Sequence, residues 1–267
     1  WRTESMSMWT WLRLFQGLGP WTPLTTIPEA KTERCRVDLG SDGEMELRIW
    51  GPSRGRPRGA LFVIPGLHFQ GPDHPRLDRL ARICARAGLL VGSPALPDFL
   101  KMRVRPRSGD HAQAAFEAFC QHPRMPDTRP GVMSISFGAY PALRVASSDA
   151  HGGRVGGILC FGGYLNWRVP IRYSWNDRDG IPFDIRNNPV AYTFLLDALP
   201  PVSSPTSVEA AWDVYIRETW GSDEQECPEA CRRLALKLAA ELDEPERRLF
   251  LQGCRFEEGA LEQLEEA

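Results

Sequence analysis

The stretch Pro130-Gly131-Val132-Met133-Ser134-Ile135-Ser136-Phe137-Gly138-Ala139 places a serine where an apolar run ends and a helical pattern begins. A hydroxyl at such a junction is held in a sharp turn. It stands above the end of a sheet and at the positive end of the following helix. That is a position from which Ser136 can attack a carbonyl carbon. Ser134 and Gly138, two residues to either side, are small enough to let the helix start close to the strand. Serines at helix starts are most often caps, so the reading depends on the elements around it.

Those elements alternate. Cys35–Leu39 and Met45–Trp50 alternate apolar and polar residues around the turn Ser41-Asp42-Gly43, which predicts a β-hairpin. Ala60–Ile64, Leu89–Ser93, Gly131–Ile135 and Val155–Phe161 are short apolar runs suited to buried strands. Helical periodicity separates them at Leu77–Gly88, Ser108–Gln121 and Phe137–Ser148. Such alternation predicts an α/β fold, a mostly parallel sheet covered by helices on both faces. After about residue 163 the rhythm turns helical. Trp212, Tyr215 and Ile216 mark one helix, Cys231, Leu234, Leu238 and Leu242 line one face of a second, and Pro245 starts a third. The expected organisation is an N-terminal amphipathic segment (1–23), a core (24–163) and a helical cap (164–267).

Residues 33–163 resemble the α/β-hydrolase fold in element order, and Ser134-Ile135-Ser136-Phe137-Gly138 resembles its nucleophile elbow, usually Gly-x-Ser-x-Gly. Ser134 replaces the first glycine. The resemblance implies a serine hydrolase that cleaves an ester, thioester or amide through an acyl-enzyme, with Ser136 as nucleophile. It also implies an oxyanion loop at Ile64-Pro65-Gly66-Leu67, so that the amides of Leu67 and Phe137 hold the oxyanion; one such donor is worth about 3 kcal/mol. His68, Asp98 and Gly138 are expected to line the pocket, although Asp98 suits the capping of a turn better.

The family's order is serine, acid, histidine. Here the last histidine is His151, in the loop that returns to the opposite end of the sheet, so it does not suit the base. His68, His74 and His111 lie at the correct end, and His68 is nearest the loop; shaping or lining the site suits such loop histidines better than proton transfer. Asp177, Asp179 and Asp184 follow the last strand, but the family's acid follows a later one. The chain also opens at Trp1 rather than Met. Together these features suggest a fragment with little turnover, the relay lying beyond Ala267. An inactive pseudohydrolase that binds or scaffolds, and an acyltransferase on the same elbow, are the alternatives.

Composition narrows the rest. The 267 residues are 42% hydrophobic and 25% charged, and net −2 predicts no bulk attraction to nucleic acid. The seven cysteines contain no CxxC pair, which suggests reduced thiols and a cytoplasmic location. No cofactor is implied, because no phosphate-cradling glycine-rich turn follows a strand. The spacing of His68, Asp73 and His74 fits no common metal site. Trp1, Trp9, Trp11 and Trp21 give residues 1–23 the aromatics of an interfacial helix. Arg2 and Arg13 alone make a sparse basic face, so packing on the chain's own domain is favoured over a membrane surface. Trp167, Tyr173 and Trp175 suit an apolar wall or cap packing equally.

Overall fold

A computed structural model describes residues 8–19, 23, 28–164, 166, 190, 205–221 and 227–257. Asp177, Asp179, Asp184, Trp167, Tyr173 and Trp175 lie outside the described residues.

Among the described residues, six strands form one sheet: β1 (Lys31–Asp38), β2 (Glu44–Gly51), β3 (Gly59–Ile64), β4 (Leu89–Pro94), β5 (Gly131–Ile135) and β6 (Gly157–Phe161). Their spatial order is β1-β2-β4-β3-β5-β6. The hairpin β1–β2 is antiparallel and joins β4 antiparallel, whereas β4, β3, β5 and β6 run parallel. This is the expected α/β fold, a mostly parallel sheet with helices on both faces. The chain steps from β3 outward to β4, then crosses back over β3 to β5. With right-handed crossovers, that reversal puts α2 (Pro75–Arg86) on one face and α4 (Arg107–Cys120) and α5 (Ala139–Ala146) on the other. The carboxyl ends of β3 and β5 flank the reversal, where open α/β sheets bind ligands.

Alternation along the strands supplies both cores. Val63 and Val91 turn toward α2 and pack with Trp50, Leu77, Ala81, Cys84 and Ala85. Phe62 turns the other way, its ring 5.4 Å from Phe116 and 5.6 Å from Phe119 of α4. Strand positions match the sequence reading within two residues except at β1, which starts at Lys31, four residues before Cys35. The last strand starts at Gly157 rather than Val155, because Gly152–Arg154 forms a short 3-10 turn that carries the chain to Val155.

The chain divides into two compact units, residues 1–100 with 105–165, and residues 101–104 with 166–267. In the second, α6 (Pro205–Gly221), α7 (Pro228–Ala239) and α8 (Glu246–Gly253) enclose Trp212, Tyr215, Ile216 and Phe250. The Trp212 indole N–H donates to the Phe250 carbonyl at 3.2 Å. Pro228 occupies the first turn of α7, and the Cys227 thiol accepts from the Ala230 N–H. Arg103 pairs with Glu209 at 2.6 Å and Asp213 at 3.3 Å. Among the described residues no helix is long and apolar enough to cross a membrane.

Candidate active site

β5 ends at Ile135 in extended backbone, and Ser136 swings to φ +50°. Left-handed backbone is unfavourable for a residue with a Cβ, by about 1–2 kcal/mol. It persists here because packing on both sides dictates the bend. Ser136–Gly138 forms one 3-10 turn, closed by the Ala139 N–H on the Ser136 carbonyl, and α5 follows. The helical pattern beginning at Phe137 is therefore a tight turn first and an α-helix only from Ala139.

Three glycines make the bend fit. A Cβ on Gly138 would stand 2.6 Å from the Pro65 carbonyl oxygen and 2.9 Å from that of Ile64. One on Gly66 would lie 3.4 Å from the Ile135 carbonyl oxygen and 3.7 Å from Ser136 Cβ. One on Gly163, just past β6, would meet Ala139 Cβ at 2.5 Å. The loop after β3 and the turn after β5 thus lie in contact. Leu67, the residue after Gly66, is itself 5% exposed. Phe137 stands at the first turn with its ring 5.9 Å from that of Tyr164. Ser134 pairs in register with Ile64 on one side and Cys160 on the other. Its side chain is fully buried, and its hydroxyl has no hydrogen-bond partner among the described residues.

The histidines occupy separate places. His68 Nδ1 accepts from the Gln70 N–H at 3.1 Å, and its ring stacks on Phe69 and meets His74 edge-on. Burial, with His74 as a second cause, lowers its pKa to about 4, so it is neutral at neutral pH. His74 caps α2 by accepting the Arg76 N–H. Asp73 between them faces Arg34 and Arg48. These bonds commit the three side chains to the fold, and no metal-binding group of three His, Cys, Asp or Glu forms among the described residues. His151 follows α5 and lies before the amino end of β6, beside Glu117 and Arg154. Ser136 follows the carboxyl end of β5. None of the five histidines hydrogen-bonds Ser136.

Two carboxylate pairs at the carboxyl end of the sheet escaped the sequence reading. Asp98, 2% exposed in the short helix α3 (Pro97–Leu100), receives the Arg107 guanidinium at 2.7 and 2.9 Å. Burial alone raises its pKa, but the hydrogen bonds and charge of Arg107 outweigh this and hold it below the ordinary carboxylate range. Its side chain is thus spent on an ion pair, with Ser108 Oγ a distant 3.4 Å away. The second pair is His111 Nε2 with Asp42 Oδ2 at 2.8 Å, joining α4 to the β1–β2 turn. His111 Nδ1 is buried and has no hydrogen-bond partner among the described residues. The sequence carries no signal for either pair, since their spacing follows no helical or strand period.

No family model matches the chain, and no curated protein matches it. Solved structures of similar backbone do exist. A dienelactone hydrolase-like promiscuous phosphotriesterase from metagenomic libraries is 17% identical over 50% of this chain and 59% of its own, at a TM-score of 0.41. The thermophilic carboxylesterase EstE1, cloned from a metagenomic library, is 16% identical over 64% of this chain and 59% of its own, at 0.48. The uncomplexed Pyrococcus horikoshii acylaminoacyl peptidase is 15% identical over 55% of this chain and 25% of its own, at 0.43. The chain thus spans less than two thirds of the length of each.

Proposed function

We propose that this chain, which has the α/β-hydrolase fold, is the nucleophile-bearing part of a cytoplasmic serine hydrolase acting on a small ester, thioester or amide. One observation carries the reading. Ser136 is held at φ +50° between β5 and α5, in contact with the Pro65-Gly66-Leu67 loop. In this reading Ser136 Oγ attacks the acyl carbon, and the amides of Leu67 and Phe137 receive the charge that develops on the carbonyl oxygen. The leaving group departs, and water later releases the acyl group. His68 and Gly138 border that space, with His68 shaping the loop rather than moving protons.

The proton relay falls to residues other than the five histidines, all of which are engaged elsewhere. We read the sequence as a piece of a longer chain whose further strands supply an acid and a histidine. The apolar, solvent-facing β6 supports this, because Leu159 and Phe161 are 61% and 68% exposed. The chain as given is therefore expected to hydrolyse p-nitrophenyl esters little above background.

A test independent of the relay replaces Ser136→Cys, since a thiol ionises without a histidine near its own pKa of about 8.5. With p-nitrophenyl acetate, the introduced thiol is expected to acetylate faster than exposed Cys160 and Cys227. Acetylation slower than at those two would refute the nucleophile assignment. The second reading, a non-catalytic binding protein, is favoured by the absence of any histidine at Ser136. It predicts that the thiol stays unacetylated while the protein still binds a partner.

A further inference from the structure

His68 and His74 share one bonding pattern in the loop that leads from β3 to α2. The Gln70 N–H donates to His68 Nδ1 at 3.1 Å, and the Arg76 N–H donates to His74 Nδ1 at 3.2 Å. A ring nitrogen that accepts carries the lone pair, so the proton of each neutral imidazole sits on Nε2. Burial is the first cause that lowers both pKa values, and His68 falls to about 4, so it is uncharged near neutrality. The two half-buried rings stand edge-on with centroids 4.6 Å apart, and Phe69 stacks on His68 at 4.3 Å. Neither Nε2 has a hydrogen-bond partner among the described residues. The same tautomer leaves no lone pair on Nε2, which suits neither a base nor a metal ligand. What the pair offers is two uncharged N–H donors.

Charge around the pair favours an anion. Asp73 is held by Arg34 and Arg48, and Asp78 by Arg48 and Arg82. Both carboxylates between Gly66 and Arg82 are therefore already matched. Arg76 is exposed, and its guanidinium has no hydrogen bond or ion pair among the described residues. Its charge reaches His74, where it is the second cause of the lowered pKa. The amino end of α2 adds positive potential at the same place. The loop also starts at the nucleophile. A Cβ on Gly66 would lie 3.7 Å from Ser136 Cβ. His68 follows two residues later, at most about 7 Å along the backbone.

We propose that His68 and His74 determine specificity: their Nε2–H groups, with the Arg76 guanidinium, bind a carboxylate on the acyl part of the substrate. The substrate class is then the half-ester or half-thioester of a short dicarboxylic acid. This rests on the reading of Ser136 as nucleophile and of the Leu67 amide as an oxyanion donor. With the reacting carbonyl at Leu67, the far end of a short acyl chain falls beside His68, the next residue. Hydrogen bonds to a charged group are among the stronger ones, and two donors with one cation suit the two oxygens of a carboxylate. An uncharged tail would leave Arg76 without a partner. A phosphate dianion would carry more charge than this single free cation balances.

Ser136→Ala allows binding to be measured without turnover. Monomethyl succinate is expected to move the Nε2 proton and nitrogen resonances of His68 and His74, and uncharged dimethyl succinate to bind about tenfold more weakly. His68→Phe keeps a ring to stack on Phe69 but lacks the donor, and Arg76→Gln removes the cation. Each is expected to weaken monomethyl succinate about tenfold. His74→Asn can still cap α2, so it should weaken binding likewise with little change in the melt. Placement beside Ser136 is read with Ser136→Cys. Mono-4-nitrophenyl succinate is expected to acylate the thiol at 136 faster than 4-nitrophenyl butyrate, and His68→Phe to erase the difference. Equal affinity for the two succinate esters would overturn the inference. So would ring resonances that do not move, or inorganic phosphate that binds as tightly as the half-ester. Unmoved rings beside a thiol that still acylates mean that this inference alone has failed. Rings that move beside an unreactive thiol mean that the nucleophile reading has failed, and the specificity role with it.

Discussion

The Pro65 carbonyl oxygen lies so close over Gly138 that a Cβ at position 138 would stand 2.6 Å from it. Because both clashing neighbours are backbone carbonyls rather than flexible side chains, the loop or the turn has to move as a whole. Gly138→Ala is expected to cost about 2 kcal/mol. A fall of several degrees in the melting temperature checks this, together with slower acetylation when Ser136→Cys is combined with it. An unchanged melt would mean that the two segments are not held in register.

Ser136→Gly should separate strain from function. Glycine adopts φ +50° freely, which relieves about 1–2 kcal/mol of left-handed strain. Greater freedom in the unfolded chain returns about 0.5–1 kcal/mol of that. The expected result is a variant about 1 kcal/mol more stable than the parent and unable to form an acyl adduct at 136. A destabilised variant would indicate that the hydroxyl itself holds the turn.

How much of this was legible in the sequence depends on whether a feature is local. The junction at Ser136 shows in one short window, since a buried run, small residues and helical spacing meet there. The sharpness of its bend does not, because it is imposed by Gly66 and Gly138 approaching through the sheet. Asp98 reads locally as a turn residue, yet its partner is Arg107 across the start of α4. His111 reads as a residue near the start of a helix, but its bond is to Asp42, 69 residues away. In the helix α1 (Met8–Leu18) the periodicity announces an amphipathic helix without telling that Thr10 is buried and Leu14 half-buried while Leu12 and Phe15 are exposed.

His68 supplies a pH signature. Its folded pKa of about 4 lies below the ordinary 6.5, because burial first and His74 second disfavour the imidazolium. The unfolded chain therefore takes up this proton first as the pH falls. The stability tied to neutral His68 is fully present above pH 6.5 and is lost between 6.5 and 4. Its ring resonances should titrate near pH 4, and His68→Gln should flatten the slope of stability across that window. A ring midpoint near 6.5 would place the imidazole in open water and leave it available as a base near neutrality.

β6 is the clearest liability of the fold. It pairs with β5 along one side, and all five of its residues are exposed. The strand holds Ile158, Leu159, Cys160 and Phe161, with no lysine, proline or charge to discourage another strand from joining it. Concentration-dependent association is thus expected, read as light-scattering mass that rises with protein concentration. Leu159→Lys places a charge on an edge residue that is 61% exposed, so it should lower that mass toward the monomer with little change in the melt. A parent chain that stays monodisperse and melts cooperatively at high concentration would mean that this edge is covered in solution. The strand would then have found its partner within the chain as given.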